Sequence, residues 1–139
     1  MTVNHILRIL LIEDDADDAE LLQDALRNSG IEFLTHVIND GSKVSEYIQS
    51  ATWFPEVVVM DLNLPKVHGR ELLKEFKSSP AFSSIPLIVL TTSSSSEDKR
   101  YALEHGAKDF VIKPNTFAGL SDVVARIIKI VGKTEQNAG

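Results

Sequence analysis

Cysteine is absent from the 139 residues of this chain. Disulfide bonds and thiolate zinc sites are therefore excluded, as is typical of a reducing compartment. No apolar run approaches the roughly 20 residues needed to cross a bilayer, and the apolar stretch 6–12 is too short and too charged for a signal peptide. With 14 basic and 20 acidic residues, the net charge of −6 argues against nucleic acid or an anionic membrane as the main partner. These absences predict an acidic cytoplasmic protein.

Five short apolar runs alternate with segments that carry apolar residues at helical spacing, which predicts an α/β fold. The predicted strands cover residues 7–12, 31–38, 57–60, 87–90 and 109–112. We therefore expect a five-stranded parallel sheet with right-handed crossovers and helices on both faces. One domain is predicted over residues 1–132, with the last helix ending at Gly132 and a disordered tail over residues 133–139.

Polar residues stand at the C-terminal ends of four predicted strands. Glu13 and Asp14 follow the first strand, Asp61 the third, Thr91 the fourth and Lys113 the fifth. Because the carboxyl ends of parallel strands share one edge of a sheet, these side chains are expected to meet there. Considered alone, Asp61 is better explained as a cap for its loop. Its convergence with the other strand ends makes it a candidate nucleophile or metal ligand.

The chemistry of this set favours phosphoryl transfer. Glu13, Asp14 and Asp61 supply oxygen ligands without histidine or thiolate, which suits Mg²⁺ before Ca²⁺ or Zn²⁺. Lys113 offers a positive charge and Thr91 a hydroxyl, the groups needed around a phosphoryl group during its transfer. Asp61 beside a metal ion can attack phosphorus to form an aspartyl phosphate.

Further acids follow the first strand, and the helix that begins there explains them. Asp15 is a candidate N-cap, and Asp17 and Asp18 suit the positive end of the helix dipole. Asp14 and Asp15 are an alternative acidic pair, but the apolar run ends at residue 12, which favours Glu13 and Asp14.

The order, spacing and strand-end placement of these residues resemble the receiver domain of two-component response regulators, over about residues 7–131. The matching features are Glu13-Asp14 after an apolar strand, Asp61 in VVVMDLNLP, Thr91 in PLIVLTTS, and Lys113 before Pro114. Residues 61–66 and 90–93 look most like the stand-alone regulators that partner phytochrome kinases of cyanobacteria and other bacteria. The resemblance implies a flavodoxin-like sheet of strand order 2-1-3-4-5.

The resemblance also implies how the acids act. Asp61 would be the phospho-acceptor, and Asp14 and Asp61 would ligate Mg²⁺ directly. Glu13 would act through a water molecule, and Asn63 would contribute its main-chain carbonyl.

The remaining matched residues would respond to the phosphoryl group. Thr91 and Lys113 would bind its oxygens, and the bond between Lys113 and Pro114 would be cis. Phe110 stands at the switch-aromatic position of the family and lacks the hydroxyl of the commoner tyrosine.

The implied function is a phosphorylation switch rather than an enzyme, apart from the chain's own phosphorylation and dephosphorylation. A sensor histidine kinase, of the phytochrome type by resemblance, would phosphorylate Asp61. Because no DNA-binding segment is visible, the output is expected to be a downstream protein target, a phosphotransfer protein or a homodimer. The face formed by residues 97–131 would form that dimer, with Tyr101 on it.

Three other functions are weaker. A dehalogenase-type Mg²⁺-dependent phosphatase also uses an aspartyl nucleophile, but it expects an Asp-x-Asp motif after the first strand, which residues 12–15 lack. A flavodoxin-like nucleotide binder would need a phosphate loop, yet residues 91–96 contain no glycine. A pseudo-receiver that binds partners without phosphorylation is disfavoured by the full set of acids, threonine and lysine.

Overall fold

The computed structural model describes residues 5–138, with side chains described for residues 5–132. Strands and helices alternate along it. In chain order they are β1 (Leu7–Ile12), α1 (Ala16–Asn28), β2 (Phe33–Ile38), a 3-10 turn (Gly41–Lys43), α2 (Val44–Ser50), β3 (Val57–Met60), α3 (Gly69–Ser78), β4 (Leu87–Thr91), α4 (Ser96–Glu104), β5 (Asp109–Ile112) and α5 (Phe117–Ala138).

All strand pairs are parallel, and the order is β2-β1-β3-β4-β5. The fold class and the strand order implied by the resemblance are both confirmed. Within residues 5–138, none of the helices combines the length and apolar character that crossing a bilayer requires.

The central strands are apolar because helices cover both faces of the sheet. Along β3 the side chains alternate between two cores. Val58 and Met60 pack with α2, α3 and α4, whereas Val57 and Val59 pack with α1 and α5. All four are at most 1% exposed. The carboxylate that follows, Asp61, is therefore held at the end of a strand fixed on both sides.

The helix after β1 is fixed at both ends by local chemistry. Its N-cap is Asp15, whose Oδ1 accepts a hydrogen bond from the backbone N–H of Asp18 at 3.0 Å. Gly30 follows the C-terminal end with φ of +82°, a conformation that glycine adopts without a Cβ clash. The predicted N-cap is confirmed.

The last helix extends further than predicted. It runs to Ala138, although Gly132 was expected to end it. A glycine inside a helix costs only about 1 kcal/mol relative to alanine, and residues 133–138 contain good helix formers and no proline. The helical backbone thus continues through residues predicted to be a disordered tail. Gly139 lies outside the described residues, and the domain boundary stays a prediction.

The bond between Lys113 and Pro114 is trans, because no cis peptide bond occurs among the described residues. The expectation of a cis bond is therefore wrong. A bond before proline favours trans by about 0.5–1 kcal/mol unless its surroundings impose cis.

Candidate functional site

Three carboxylates from neighbouring strands meet at the carboxyl edge of the sheet. Glu13 and Asp14 follow β1 and Asp61 follows β3, and one oxygen of each lies within 4.8 Å of those of the other two. Glu13 is 4% and Asp61 5% exposed, whereas Asp14 is exposed to solvent. Like charges this close destabilise one another unless protons or a cation compensate. The predicted acidic cluster therefore exists, and its charge requires a partner.

The ammonium group of Lys113 faces this cluster. Its Nζ lies 2.6 Å from Glu13 Oε1 and 2.8 Å from Asp61 Oδ2. A third carboxylate, that of Asp18 in the first turn of α1, lies 2.8 Å from the same nitrogen through its Oδ2. The backbone N–H of Lys113 donates to the carbonyl of Thr91 at 2.7 Å, which fixes the lysine beside β4. Each of the three ammonium protons thus has a carboxylate to bind.

Burial and hydrogen bonding shift the pKa values of Lys113 and Glu13 in opposite directions. Burial alone would lower the pKa of Lys113, but its hydrogen bonds to Asp18, Asp61 and Glu13 outweigh burial and raise the pKa. For Glu13, burial dominates and raises the pKa of the carboxyl, even though Lys113 binds it. The lysine is therefore firmly cationic, and it is a single positive charge among four carboxyl groups.

The donor set of the cluster fits a hard divalent cation. All the candidate ligand atoms are carboxylate oxygens, which Mg²⁺ prefers. Asp14 forms no hydrogen bond or ion pair with residues 5–132, so its oxygens remain available. Two buried acids with one exposed acid suit an ion that keeps several of its waters.

The loop after β3 fixes the orientation of Asp61. Its Oδ1 accepts a hydrogen bond from the backbone N–H of Asn63 at 2.9 Å. Gly69 begins α3 directly against this loop and donates its N–H to the carbonyl of Leu62 at 3.1 Å. A Cβ at position 69 would lie 2.5 Å from the Cα of Leu62, so a side chain there would displace the loop.

Thr91 is fully buried at the end of β4, and its hydroxyl group contacts the neighbouring loops. Its Oγ1 accepts from the backbone N–H of Ser93 at 3.2 Å and from Nδ2 of Asn63 at 3.4 Å. The structure shows no hydrogen bond between Thr91 and Asp61 within the described part of the chain. Phe110 is 8% exposed and packs in the core cluster beside α3 and α4.

The structure thus gathers Glu13, Asp14, Asp61 and Lys113 in one place, with Thr91 at the same edge. Asp15, the alternative acid, caps α1 and is not among the acids that could share a cation.

The contact between Asp18 and Lys113 was not predicted from the sequence, because the helix dipole alone explains an acid at this position. A signal was nevertheless present. Asp18 stands one helical turn before Leu22, which is 1% exposed, so it continues the buried stripe of α1. An acid on the inner stripe of a helix is placed to reach the edge of the sheet that the helix covers.

A model of the response regulator receiver domain matches residues 9–125. The chain belongs to this family. Receiver domains accept a phosphoryl group in two-component signalling, interact with histidine kinases and generally bind Mg²⁺ at an acidic pocket. The family is not one of catalytic enzymes, apart from its own phosphorylation chemistry.

Individual relatives agree with this assignment over most of their length. "Probable methanogenesis regulatory protein FilR2" of Methanothrix harundinacea is 35% identical over 123 residues, covering 86% of this chain and 79% of that protein. Response regulator Rcp1 of Synechocystis sp. is 33% identical over 124 residues, covering 86% and 84%.

Solved structures give the same result. The Mn(2+)-bound form of Rcp1 matches with a TM-score of 0.78 at 31% identity, covering 84% of this chain and 91% of that one. The phosphorylated cyanobacterial phytochrome response regulator RcpA matches with a TM-score of 0.80 at 31% identity, covering 88% and 91%.

Proposed function

We propose that Asp61 accepts a phosphoryl group from a sensor histidine kinase in the presence of Mg²⁺. The proposal rests chiefly on one observation: Asp61 stands at the end of a buried strand, inside an acidic cluster, with an ammonium group 2.8 Å from its Oδ2. Phosphorylation would then change the affinity of the chain for a protein partner in the cytoplasm.

The acids would hold the metal ion. Asp14 and Asp61 would bind Mg²⁺ directly, Glu13 would bind it through water, and the Asn63 carbonyl would be a further ligand. The bound cation would offset the negative charge of the acids and of the incoming phosphoryl group. The existence of an Mn(2+)-bound form of Rcp1, a relative at 31% identity, supports this assignment.

The chain's own residues supply the rest of the transfer. A carboxylate oxygen of Asp61 attacks phosphorus, a P–O bond forms, and the P–N bond to the kinase histidine breaks as the imidazole leaves. Lys113 neutralises charge on the phosphoryl oxygens. Thr91 would exchange its present contacts with Asn63 and Ser93 for a phosphoryl oxygen, and Phe110 would repack in response as the switch residue.

The family and its relatives support a histidine kinase as the phosphoryl donor. A kinase of the phytochrome type is supported by the similarity to RcpA, which is a phytochrome response regulator. A downstream protein or a phosphotransfer protein would read the phosphorylated state. We also propose a homodimer through residues 97–131, where the Tyr101 ring stacks on His105 with centroids 3.9 Å apart.

Intact-mass measurement after incubation with Mg²⁺ and acetyl phosphate tests the proposal. Wild-type protein should gain one phosphoryl group, and removal of Mg²⁺ by a chelator should suppress the gain. The variant Asp61→Asn should gain none, because an amide is a poor nucleophile. An unmodified wild type, or equal labelling of both proteins, would contradict the proposal.

A further inference from the structure

We propose that Asp18 is a positioning residue for phosphoryl transfer, which holds the Lys113 ammonium group in place beside Asp61. The inference rests on the proposed function of Asp61. It concerns a residue outside the three-acid cluster, which includes the acceptor Asp61.

The three carboxylates around Lys113 differ in their surroundings. The side chains of Glu13 and Asp61 are each 5% exposed and belong to the acidic cluster, whereas that of Asp18 is 37% exposed. Asp18 reaches the same nitrogen from α1, at the rim of the site, with a distance of 2.8 Å. It therefore binds Lys113 from a helix rather than from a strand end.

A cation bound in the cluster would change the balance among these contacts. Glu13 and Asp61 would then hold the ammonium group less strongly, because the ion and the lysine would compete for the same negative charge. Asp18 lies outside the cluster, so its contact with Lys113 would persist. Of the three acids that bind this lysine within residues 5–132, Asp18 is the one that does not belong to the group able to hold a cation.

The backbone of Asp18 is itself well fixed. Its N–H donates to the Asp15 carboxylate at 3.0 Å, and Leu22 in the next turn is buried against the sheet. A lysine has a long flexible stem and an ammonium group without directional preference. A carboxylate on a fixed backbone, that of Asp18, restricts the lysine side chain. The other N–H donors of the Lys113 ammonium group then point to Asp61.

Asp17 provides a matched control. It precedes Asp18 in the same helical turn, carries the same charge and is exposed to solvent. It forms no hydrogen bond or ion pair with the side chains described for residues 5–132. Replacing Asp17 or Asp18 by asparagine therefore changes the net charge and the helix-end electrostatics equally, but only Asp18→Asn removes the charged contact to Lys113.

Phosphorylation by acetyl phosphate with Mg²⁺, followed over a range of donor concentrations, tests the inference. Asp18→Asn should lower the rate constant at saturating donor by roughly tenfold, since small displacements of a catalytic group have effects of this order or larger. The half-saturating concentration should not change, because Asp18 does not bind the donor. Asp17→Asn should match the wild type in both, and Asp18→Glu should recover most of the lost rate.

A double-mutant cycle separates positioning from a general structural effect. In a Lys113→Met background, Asp18→Asn should have no further effect on the slow remaining phosphorylation. Equal rates for Asp18→Asn and Asp17→Asn, or an undiminished effect of Asp18→Asn without Lys113, would overturn the inference. These outcomes differ from failure of the proposed function, in which the wild type itself gains no phosphoryl group.

Discussion

Carboxylates with little exposure lie at both ends of the sheet, but their charge is balanced differently at the two ends. At the amino end, the side chain of Glu56 is 12% exposed and accepts from the backbone N–H of Arg8 at 3.1 Å. Its Oε2 lies 2.8 Å from Nε2 of His5, and its Oε1 lies 3.7 Å from Nη1 of Arg8. At the carboxyl end, Lys113 alone contacts Glu13, Asp18 and Asp61 among the cationic side chains described.

The difference separates structure from function. A carboxylate with enough donors around it contributes to stability, whereas a group of acids with too little positive charge stores repulsion that a ligand can relieve. Surplus negative charge at the carboxyl end favours a bound cation, which the proposed phosphoryl transfer requires. Charge balance, rather than burial or the number of acids, thus distinguishes the end with the proposed site from the other end.

The largest expected effect comes from removing the single ammonium group at the carboxyl end. Lys113→Met should lower the free energy of unfolding by about 3 kcal/mol, because it leaves buried acids without a counter-charge. Urea unfolding near neutral pH measures the loss. Added Mg²⁺ should restore part of it, since a cation that binds only the folded state stabilises that state.

Lys66→Met is the matched control for this change. Lys66 also pairs with an acid, Asp40, at 3.0 Å, but its side chain is 65% exposed. Exposed ion pairs contribute little to stability, so this variant should unfold close to the wild type. Similar losses for both variants would show that the buried position of the acids around Lys113 does not enlarge the effect of removing the lysine.

Removing one carboxylate charge should change the free energy of unfolding by an intermediate amount, with opposite signs at the two ends of the sheet. Glu56→Gln should lower the free energy of unfolding by about 1–2 kcal/mol, because it weakens charge-assisted hydrogen bonds. Asp61→Asn should raise it by about 1 kcal/mol in the absence of Mg²⁺, because it relieves repulsion within the acidic cluster. Urea unfolding of both variants tests the comparison.

Saturating Mg²⁺ should reverse the sign at Asp61, since the wild type then gains binding free energy that the variant lacks. The loss in the free energy of unfolding caused by Glu56→Gln should not depend on Mg²⁺. Destabilisation by both substitutions without metal would remove the distinction between the two ends.

The parts of this molecule that were predictable from sequence depend on short-range patterns. Buried strands such as β3 consist of consecutive apolar residues, and the parallel topology then brings Glu13, Asp61 and Lys113 to one edge. The capping role of Asp15 was predictable for the same reason, because a cap contacts residues of its own turn.

The missed features depend on how elements are placed in three dimensions. The contact of Asp18 with Lys113 depends on the rotation of α1 over the sheet, and that of Asn63 with Thr91 on the path of a loop. The end of α5 depends on small propensity differences around Gly132 that packing or solvent can override. Residue spacing places Asp18 on the inner face of α1, but it gives neither the partner of Asp18, nor the path of the loop, nor the end of α5.

The smallest expected effect comes from an acid at the carboxyl edge whose charge, like that of Glu56, is matched by hydrogen-bond donors. Asp98 accepts from the Ser93 hydroxyl at 2.7 Å and from Nε of Arg70 at 3.1 Å. The hydrogen bonds from Ser93 and Arg70 lower the pKa of its carboxyl below the usual 3.8. Its location resembles that of the acidic cluster, but its charge is matched, so charge balance predicts a stabilising role.

Asp98→Asn should therefore lower the free energy of unfolding by no more than about 1 kcal/mol, since solvent screens this partly exposed pair. A lowered folded-state pKa contributes stability above the unfolded pKa, and that contribution is lost as the pH falls through the folded-state value. The difference in the free energy of unfolding between Asp98→Asn and the wild type should accordingly be constant near neutral pH and disappear below pH 3.8.

Urea unfolding across this pH range measures that difference. Glu97→Gln, a change of another acid in the same helical turn, is the control. A stabilised Asp98→Asn would mean that location at the carboxyl edge, rather than charge balance, decides the role of an acid in this fold.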